Sequence, residues 1–285
     1  MVKKVLIHGS LGWLGRMTID YLEKNFQNLD VYLVSSKKAN LSSKKNKYMF
    51  INYSEFNELK NCNIDYLFYY GFLTQEKIGL QNDEIYIDTT DNIIESYTKF
   101  MSQNYVSRSL LSSSGAVYWR NTEKENLYTM QKLKQEQEFE NINNILGTEY
   151  LIARIFGIVG NQYSFEKNYA FTSFINSGVN GKNIHVKSKQ KVLRSYLYFN
   201  DLIDYFFESN FSSEIIDTWN ETLDLFDLAT DISEIFNVDV EIDESYFISK
   251  SVDSYISKNE NFKMNFDTLI DKNLLKEIIF SKFIF

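Results

Sequence analysis

The segment Gly9-Ser10-Leu11-Gly12-Trp13-Leu14-Gly15 narrows the folds open to this chain more than any other feature. It follows directly on the short apolar run of residues 5–8 and leads into residues 14–26, whose apolar positions recur at helical spacing. Glycines at this spacing, between a strand and a helix, each have a physical use. Gly9 permits a tight turn, Gly12 lets backbone approach a ligand, and Gly15 lets the helix pack closely on the strand. The helix N-terminus then points unpaired N–H groups and a positive dipole end at whatever the loop holds, which suits the pyrophosphate of a dinucleotide. Gly9, Gly12, Trp13, Leu14 and Gly15 are therefore the cofactor-binding candidates of this loop. His8, where strand meets loop, is expected to be a hydrogen-bonding loop residue rather than a base.

Beyond the loop, short apolar runs at residues 31–35, 48–51, 64–70, 109–113 and 150–154 read as further strands. Between them, residues 85–104 and 127–145 have the spacing and length of helices. Such alternation predicts an α/β fold, a doubly wound parallel sheet covered by helices on both faces. After residue 155 it weakens, which predicts a smaller C-terminal substrate-binding lobe. The expected organisation is a dinucleotide-binding domain over residues 1–155, completed by a segment near 192–212, and a smaller discontinuous lobe over 156–285. Proline is absent, so glycine has to mark the turns. The polar, basic stretch 40–47 reads as a solvated loop, and the apolar stretch 278–285 as a packed terminal element.

Composition removes several function classes. A net charge of −8 argues against nucleic acid, which calls for a basic surface stripe. With Cys62 as the only cysteine and His8 and His185 as the only histidines, neither a thiolate cluster nor a histidine-rich zinc site is expected, so no metal is assigned. The first apolar run is too short for a signal-peptide core, and no window reaches the 18 or so apolar residues of a membrane span. The expectation is a cytoplasmic protein with no membrane partner.

The second expected strand ends Val34-Ser35-Ser36-Lys37-Lys38, without the carboxylate that commonly grips an adenosine ribose about 20 positions after such a loop. Hydroxyls followed by lysines suit a 2′-phosphate, and Arg16, immediately after Gly15, is a further candidate. Ser35, Ser36 and Lys37 are thus cofactor-binding candidates, and NADP(H) is favoured over NAD(H). The alternative is that these lysines only decorate a surface loop.

Tyr128 and Lys132 lie four residues apart, on one face of a helix. The spacing alone is uninformative, because Tyr163/Lys167 and Tyr246/Lys250 share it. Position separates them: Tyr128 opens a long helix, fourteen residues after Ser114, which stands at the end of a strand where ligands of an open parallel sheet bind. A phenol has a pKa of about 10, so proton transfer at neutral pH requires charge nearby; a lysine ammonium and a cationic nicotinamide both favour the phenolate. Ser114 would orient the substrate oxygen. Ser114, Tyr128 and Lys132 are the catalytic candidates.

Loop and trio together resemble the extended short-chain dehydrogenase/reductase family, a Rossmann fold, in its nucleotide-sugar epimerase, dehydratase and reductase branch. Leu151-Ile152-Ala153-Arg154-Ile155-Phe156-Gly157-Ile158-Val159-Gly160, Gly181-Lys182-Asn183-Ile184-His185-Val186 and Arg194-Ser195-Tyr196-Leu197-Tyr198-Phe199-Asn200-Asp201-Leu202 resemble its downstream segments. The resemblance covers roughly residues 3–230. It implies that Tyr128 is the acid/base, that Lys132 holds the nicotinamide ribose, and that Ser114 and Arg194 bind substrate, Arg194 at a diphosphate. A structural salt bridge is the alternative for Arg194, and a structural role is expected of Arg154. It also implies a nucleotide-sugar partner and a homodimer through the helices of residues 85–104 and 127–145.

Departures from the family pattern are informative. Gly115-Ala116 replaces the acidic pair of dehydratases, so no machinery for eliminating water is evident, and Gly157 replaces a common asparagine. The expected activity is a nucleotide-sugar 4-keto reductase. The alternatives are a C4 epimerase with tightly held NAD and a non-catalytic dinucleotide-binding regulator.

Overall fold

The computed structural model describes residues 2–38, 41–78, 82–162, 169–208, 213–257 and 268–281. It divides into two compact units, Met1–Arg154 with Glu208–Ile215, and Ile155–Phe207 with Ile216–Ile284. Among the described residues, no helix is long and apolar enough to cross a membrane.

The first unit is built on strands β1 (Lys4–His8), β2 (Asp30–Ser35), β3 (Lys47–Asn52), β4 (Asn63–Tyr69), β5 (Tyr105–Ser114) and β6 (Glu149–Ile155). With β10 (Glu214–Thr218) they form a seven-stranded sheet of order β10-β6-β5-β4-β1-β2-β3. The pairs β1–β2, β1–β4, β2–β3 and β4–β5 are all parallel. A parallel sheet covered on both faces needs strands that are apolar on both sides, and Val5, Leu6 and Ile7 are at most 1% exposed. Chain order reverses between β1 and β4, which places the switch point, where open sheets take their ligands, beside the glycine loop. The segment Glu208–Ile215 rejoins this unit, overlapping the end of the expected 192–212, while the strand near residue 192 pairs inside the second unit.

The helices of this unit are α1 (Trp13–Asn25), the one-turn α2 (Tyr53–Phe56), α3 (Asp83–Gln103) and α4 (Leu127–Leu146). Asn82 caps α3 by accepting from Glu84 N at 2.9 Å. Asn126 caps α4 by accepting from Thr129 N at 3.1 Å, and Gly147 ends α4 at φ +67°, a left-handed stop that glycine adopts without strain. Tyr97, Phe100, Phe139, Tyr150 and Ile152 share one core cluster with Leu6 and Leu67. Inside it Asn143 donates to Tyr97 Oη at 2.7 Å and accepts from Ser109 Oγ at 2.7 Å, pinning α3, α4 and β5 at a fixed depth. The stretch read as a solvated loop is held down in its second half. Glu23 accepts from Ser43 Oγ (2.6 Å) and Tyr48 Oη (2.8 Å), and Asn46 is only 6% exposed.

In the second unit β7 (Gly157–Val159), β9 (Lys191–Tyr198), β11 (Glu221–Asp224) and β13 (Val252–Tyr255) form one sheet, and β8 (Ile184–Val186) pairs with β12 (Val240–Ile242). Helices α5 (Ala170–Val179), α6 (Phe199–Phe207), α7 (Leu225–Phe236), α8 (Ser245–Ile248) and α9 (Lys272–Phe280) accompany them. Leu275, Ile278 and Ile279 of α9 are buried, whereas 282–285 lie outside the described residues.

Candidate active site

The glycine loop follows β1 at the carboxyl end of the sheet. Gly9 sits at φ +79°, and a Cβ there would stand 2.7 Å from Gly71 N, so both its backbone angle and its close neighbour require glycine. Gly15 packs the first turn of α1 onto the loop so tightly that a Cβ would meet Gly9 O at 2.5 Å. Gly12 N donates to Gly9 O at 3.0 Å, and Gly9 N and Ser10 N both donate to Val34 O, binding the loop to β2. Gly12 caps α1 without a side-chain hydrogen bond, and no acidic residue lies in the first turn. A left-handed glycine, a backbone-to-backbone approach, and a helix N-terminus without a capping side chain or a repelling carboxylate fit a dinucleotide pyrophosphate. Trp13 and Leu14 open that helix.

Ser35 ends β2, half-buried, and its Oγ accepts from Lys37 N at 3.3 Å; Ser36 and Lys37 are exposed. Arg16 turns its Nε back to Leu11 O at 2.9 Å and so ties the loop to α1. His8 corrects the expectation of a hydrogen-bonding loop residue. It is 2% exposed, stacks on Tyr69 with centroids 4.1 Å apart, and lies near the Phe56 ring, while among the described residues neither ring nitrogen has a hydrogen-bond partner. Burial pushes its pKa down to about 3, which leaves it neutral and a weak base.

Ser114 ends β5 and caps a short 3-10 helix, Gly115–Trp119, by accepting from Ala116 N at 3.2 Å. Thr129 Oγ1 donates to Ala116 O at 3.3 Å, which fastens the start of α4 to that turn. The Tyr128 hydroxyl is thereby brought into a hydrogen bond with Ser114. Lys132, one turn further along α4, donates to Ser112 O and Gln135 Oε1, both at 2.9 Å, and its Nζ lies 5.9 Å from the Tyr128 ring centroid. The three groups singled out from sequence are thus gathered at the carboxyl end of the sheet that also carries the glycine loop.

Two features of the trio are not legible in the sequence. Phe72, just past β4, lays its ring 4.0 Å from Lys132 Nζ and meets Tyr128 edge-on. An ammonium has three N–H groups, and in this arrangement two are bonded and the ring takes the remaining side. The electrostatics also run against the simple expectation. Burial raises the Tyr128 phenol to about 12, outweighing the Ser114 hydrogen bond. Burial also lowers Lys132 to about 7, against the pull of Glu136. In the free protein desolvation wins over the mutual help of phenol and ammonium.

Arg154 has the structural role expected of it: its Nε and Nη2 fork onto Glu136 at 3.0 and 2.7 Å. In the second unit Arg194 donates from Nη2 to Asp253 Oδ2 at 2.7 Å, and from Nη1 to Leu193 O and Asp253 O. The salt bridge weighed for Arg194 is thus present in this structure. Gly157 lies against Tyr196 and Ser195 O, where a Cβ would come within 2.9 Å, so the position has no room for the family's common asparagine. Tyr246, which shares the tyrosine–lysine spacing, is 3% exposed; its hydroxyl donates to Asp224 and accepts from Val192 N. Tyr163 and Lys167 lie outside the described residues.

A family model described as the NAD dependent epimerase/dehydratase family matches residues 5–208. An uncharacterized protein of Methanocaldococcus jannaschii is 23% identical over 230 residues, 71% of this chain and 70% of its own. A UDP-N-acetylglucosamine 4-epimerase from Methanobrevibacter ruminantium M1, solved with UDP-N-acetylmuramic acid, has a TM-score of 0.69 at 19% identity, with 98% of this chain and 97% of the other covered. MoeE5, solved with UDP-glucose and NAD, has a TM-score of 0.68 at 14% identity, with 97% of each chain covered. At these identities the two structures speak for the fold.

Proposed function

The chain belongs to the NAD dependent epimerase/dehydratase family, and from that premise we propose that it is a nucleotide-sugar 4-epimerase that retains and recycles a nicotinamide dinucleotide. The observation that carries the reading is the Ser114–Tyr128 hydrogen bond with Lys132 one turn away, on the sheet end that bears the glycine loop. The glycine loop and Lys132 would hold the nicotinamide dinucleotide, which would supply a hydride acceptor and donor at the sugar carbon. Tyr128 accepts the hydroxyl proton as the carbon loses that hydride, then gives the proton back when hydride returns to the opposite face. Ser114 holds the reacting oxygen beside the phenol. Atoms and electrons balance with no net oxidation. Bringing a phenol from about 12 to neutrality requires on the order of 7 kcal/mol of preference for the phenolate. Lys132 in its ammonium form would favour the phenolate, and an oxidised nicotinamide ring, when bound, would add to it.

Epimerisation is preferred over net reduction because fold relatives include UDP-sugar 4-epimerases and a structure holding NAD. One observation favours the 4-keto reductase as the second reading. The β2 end, Ser35-Ser36-Lys37-Lys38, carries no carboxylate, which suits NADPH and hence a consumed cofactor. The protein should be incubated with UDP-hexoses while nucleotide-sugar composition and absorbance at the reduced-nicotinamide band are followed. Interconversion of the C4 epimers without net absorbance change supports epimerisation. Inert UDP-hexoses, with stoichiometric NADPH consumption on a 4-keto nucleotide sugar, establish the reductase instead. A homodimer through α3 and α4 is part of the proposal, since Ile85 and Met130 on these helices are 52% and 54% exposed; sedimentation tests it.

A further inference from the structure

Beside Lys132, the buried face of α4 carries a second charge, Glu136, that the reaction above does not use. Glu136 lies one turn beyond Lys132, and each is 4% exposed. Ser113 Oγ donates to Glu136 Oε1 at 2.5 Å. Arg154 reaches the same oxygen with Nε and the other with Nη2, while its Nη1 donates to Tyr118 Oη at 3.3 Å. The guanidinium also stands over the Tyr118 ring, 5.3 Å from its centroid. Ser113 precedes Ser114 on β5, and Tyr118 stands in the 3-10 helix that Ser114 caps. One carboxylate therefore grips the strand before the serine and, through Arg154, the turn after it.

We propose that Glu136 is a positioning residue of this site: clamped by Ser113 and the Arg154 fork behind Lys132, it supplies a buried negative charge that favours the ammonium form of the lysine and fixes the strand end presenting Ser114. The proposal rests on the reading of Lys132 as a charged, cofactor-holding group. A buried ammonium loses its proton readily unless an anion shares its surroundings. The other titratable and charged groups gathered there are Tyr128 on the same helix, Glu76 after β4, Tyr86 on α3, and Arg154 with Tyr118. Of these, Arg154 opposes the charge on Lys132 and partly offsets Glu136 through its fork, Glu76 bears on Tyr128, and burial keeps Tyr128 and Tyr86 uncharged near pH 7. Consistent with this, burial holds Lys132 near 7 with Glu136 as the opposing influence.

The test is a titration of the Lys132 side chain by NMR in the whole chain labelled at lysine Cε, the resonance being assigned by its loss in Lys132→Met. The wild-type midpoint is expected near 7. Glu136→Gln keeps the shape and removes the charge, so the midpoint moves to lower pH by about one unit or more. Because a lone buried Arg154 can prevent folding, Glu136→Gln with Arg154→Met is the second variant, and its midpoint also moves down, by less. A folded variant whose midpoint stays at the wild-type value overturns the proposal, since a packing role leaves the lysine's titration where it was. NAD affinity of the same proteins, measured by fluorescence across pH, separates the two readings. A Lys132 midpoint that moves while the affinity profile does not follow it leaves the Glu136 effect standing and removes Lys132 from the cofactor.

Discussion

At the residue scale, the site contains a phenol raised to about 12 and an ammonium lowered to about 7 by the same burial. Tyr128→Phe keeps the ring and deletes the only group assigned to proton transfer, so turnover falls by about 10²–10⁴-fold with cofactor binding nearly intact. Tyr246→Phe is the control: it removes a hydroxyl bonded to Asp224 and Val192 N, so it lowers the melting temperature and leaves single-turnover hydride transfer unchanged. Lys132 adds a pH signature. Its folded pKa lies below that of an exposed lysine, so between about pH 7 and 10 the unfolded chain binds the extra proton, and stability rises with pH through that window. Denaturant unfolding of wild type against Lys132→Met, from pH 6 to 10, should show their difference changing by up to about 1.4 kcal/mol per pH unit above pH 7. A constant difference removes the lowered pKa. The trio was legible because Ser114 and Tyr128 flank a strand end and a helix start. Phe72 and Glu136 were not: a ring arriving from β4, and a carboxylate one turn beyond a lysine, leave no pattern that sequence spacing distinguishes from a core aromatic and a surface ion pair.

At the element scale, the elements around the site were readable wherever apolar spacing had one interpretation. The first six strands and helices α1, α3 and α4 fall within a few residues of their expected places, the strand before Ser114 beginning four residues earlier at Tyr105. His8 misled because a histidine beside a loop normally finds a partner; here the three rings around it come from β3–α2 and β4, which no local pattern announces. The glycines make the element-scale test. Gly15→Ala places a methyl 2.5 Å from Gly9 O and 2.6 Å from Ser10 Cα, backbone that cannot yield cheaply. It should cost several kcal/mol, at the overpacking end of about 1–3 kcal/mol or beyond, and abolish dinucleotide binding. Gly147→Ala meets nothing within 4 Å and pays only for its left-handed angle, about 1–2 kcal/mol, with binding intact. Thermal melts and a cofactor titration of both variants check the pair; equal losses of binding detach Gly15 from the loop's function.

At the scale of the whole molecule, the two units differ in how far the sequence announces them. A return of the chain near 192–212 was expected, and Glu208–Ile215 falls at the end of that window, whereas the second unit's strands were not legible, being three to eight residues with little alternation. Arg194 is where this scale can be tested. Its fork holds Asp253 across β9 and β13, with both side chains partly exposed at 25% and 34%. A diphosphate and a carboxylate compete for the same planar donors, so a substrate-binding Arg194 has to share or leave Asp253. Asp253→Asn removes the competing charge and should tighten nucleotide-sugar binding several-fold, whereas Arg194→Lys keeps the charge without the fork and should weaken it by about tenfold, with cofactor affinity unchanged in both. Calorimetric titration of UDP-hexose and NAD into each variant reads the two affinities separately. If Arg194→Lys lowers the melting temperature while nucleotide-sugar affinity stays at the wild-type value, Arg194 is a strut of the second unit and the diphosphate is held elsewhere.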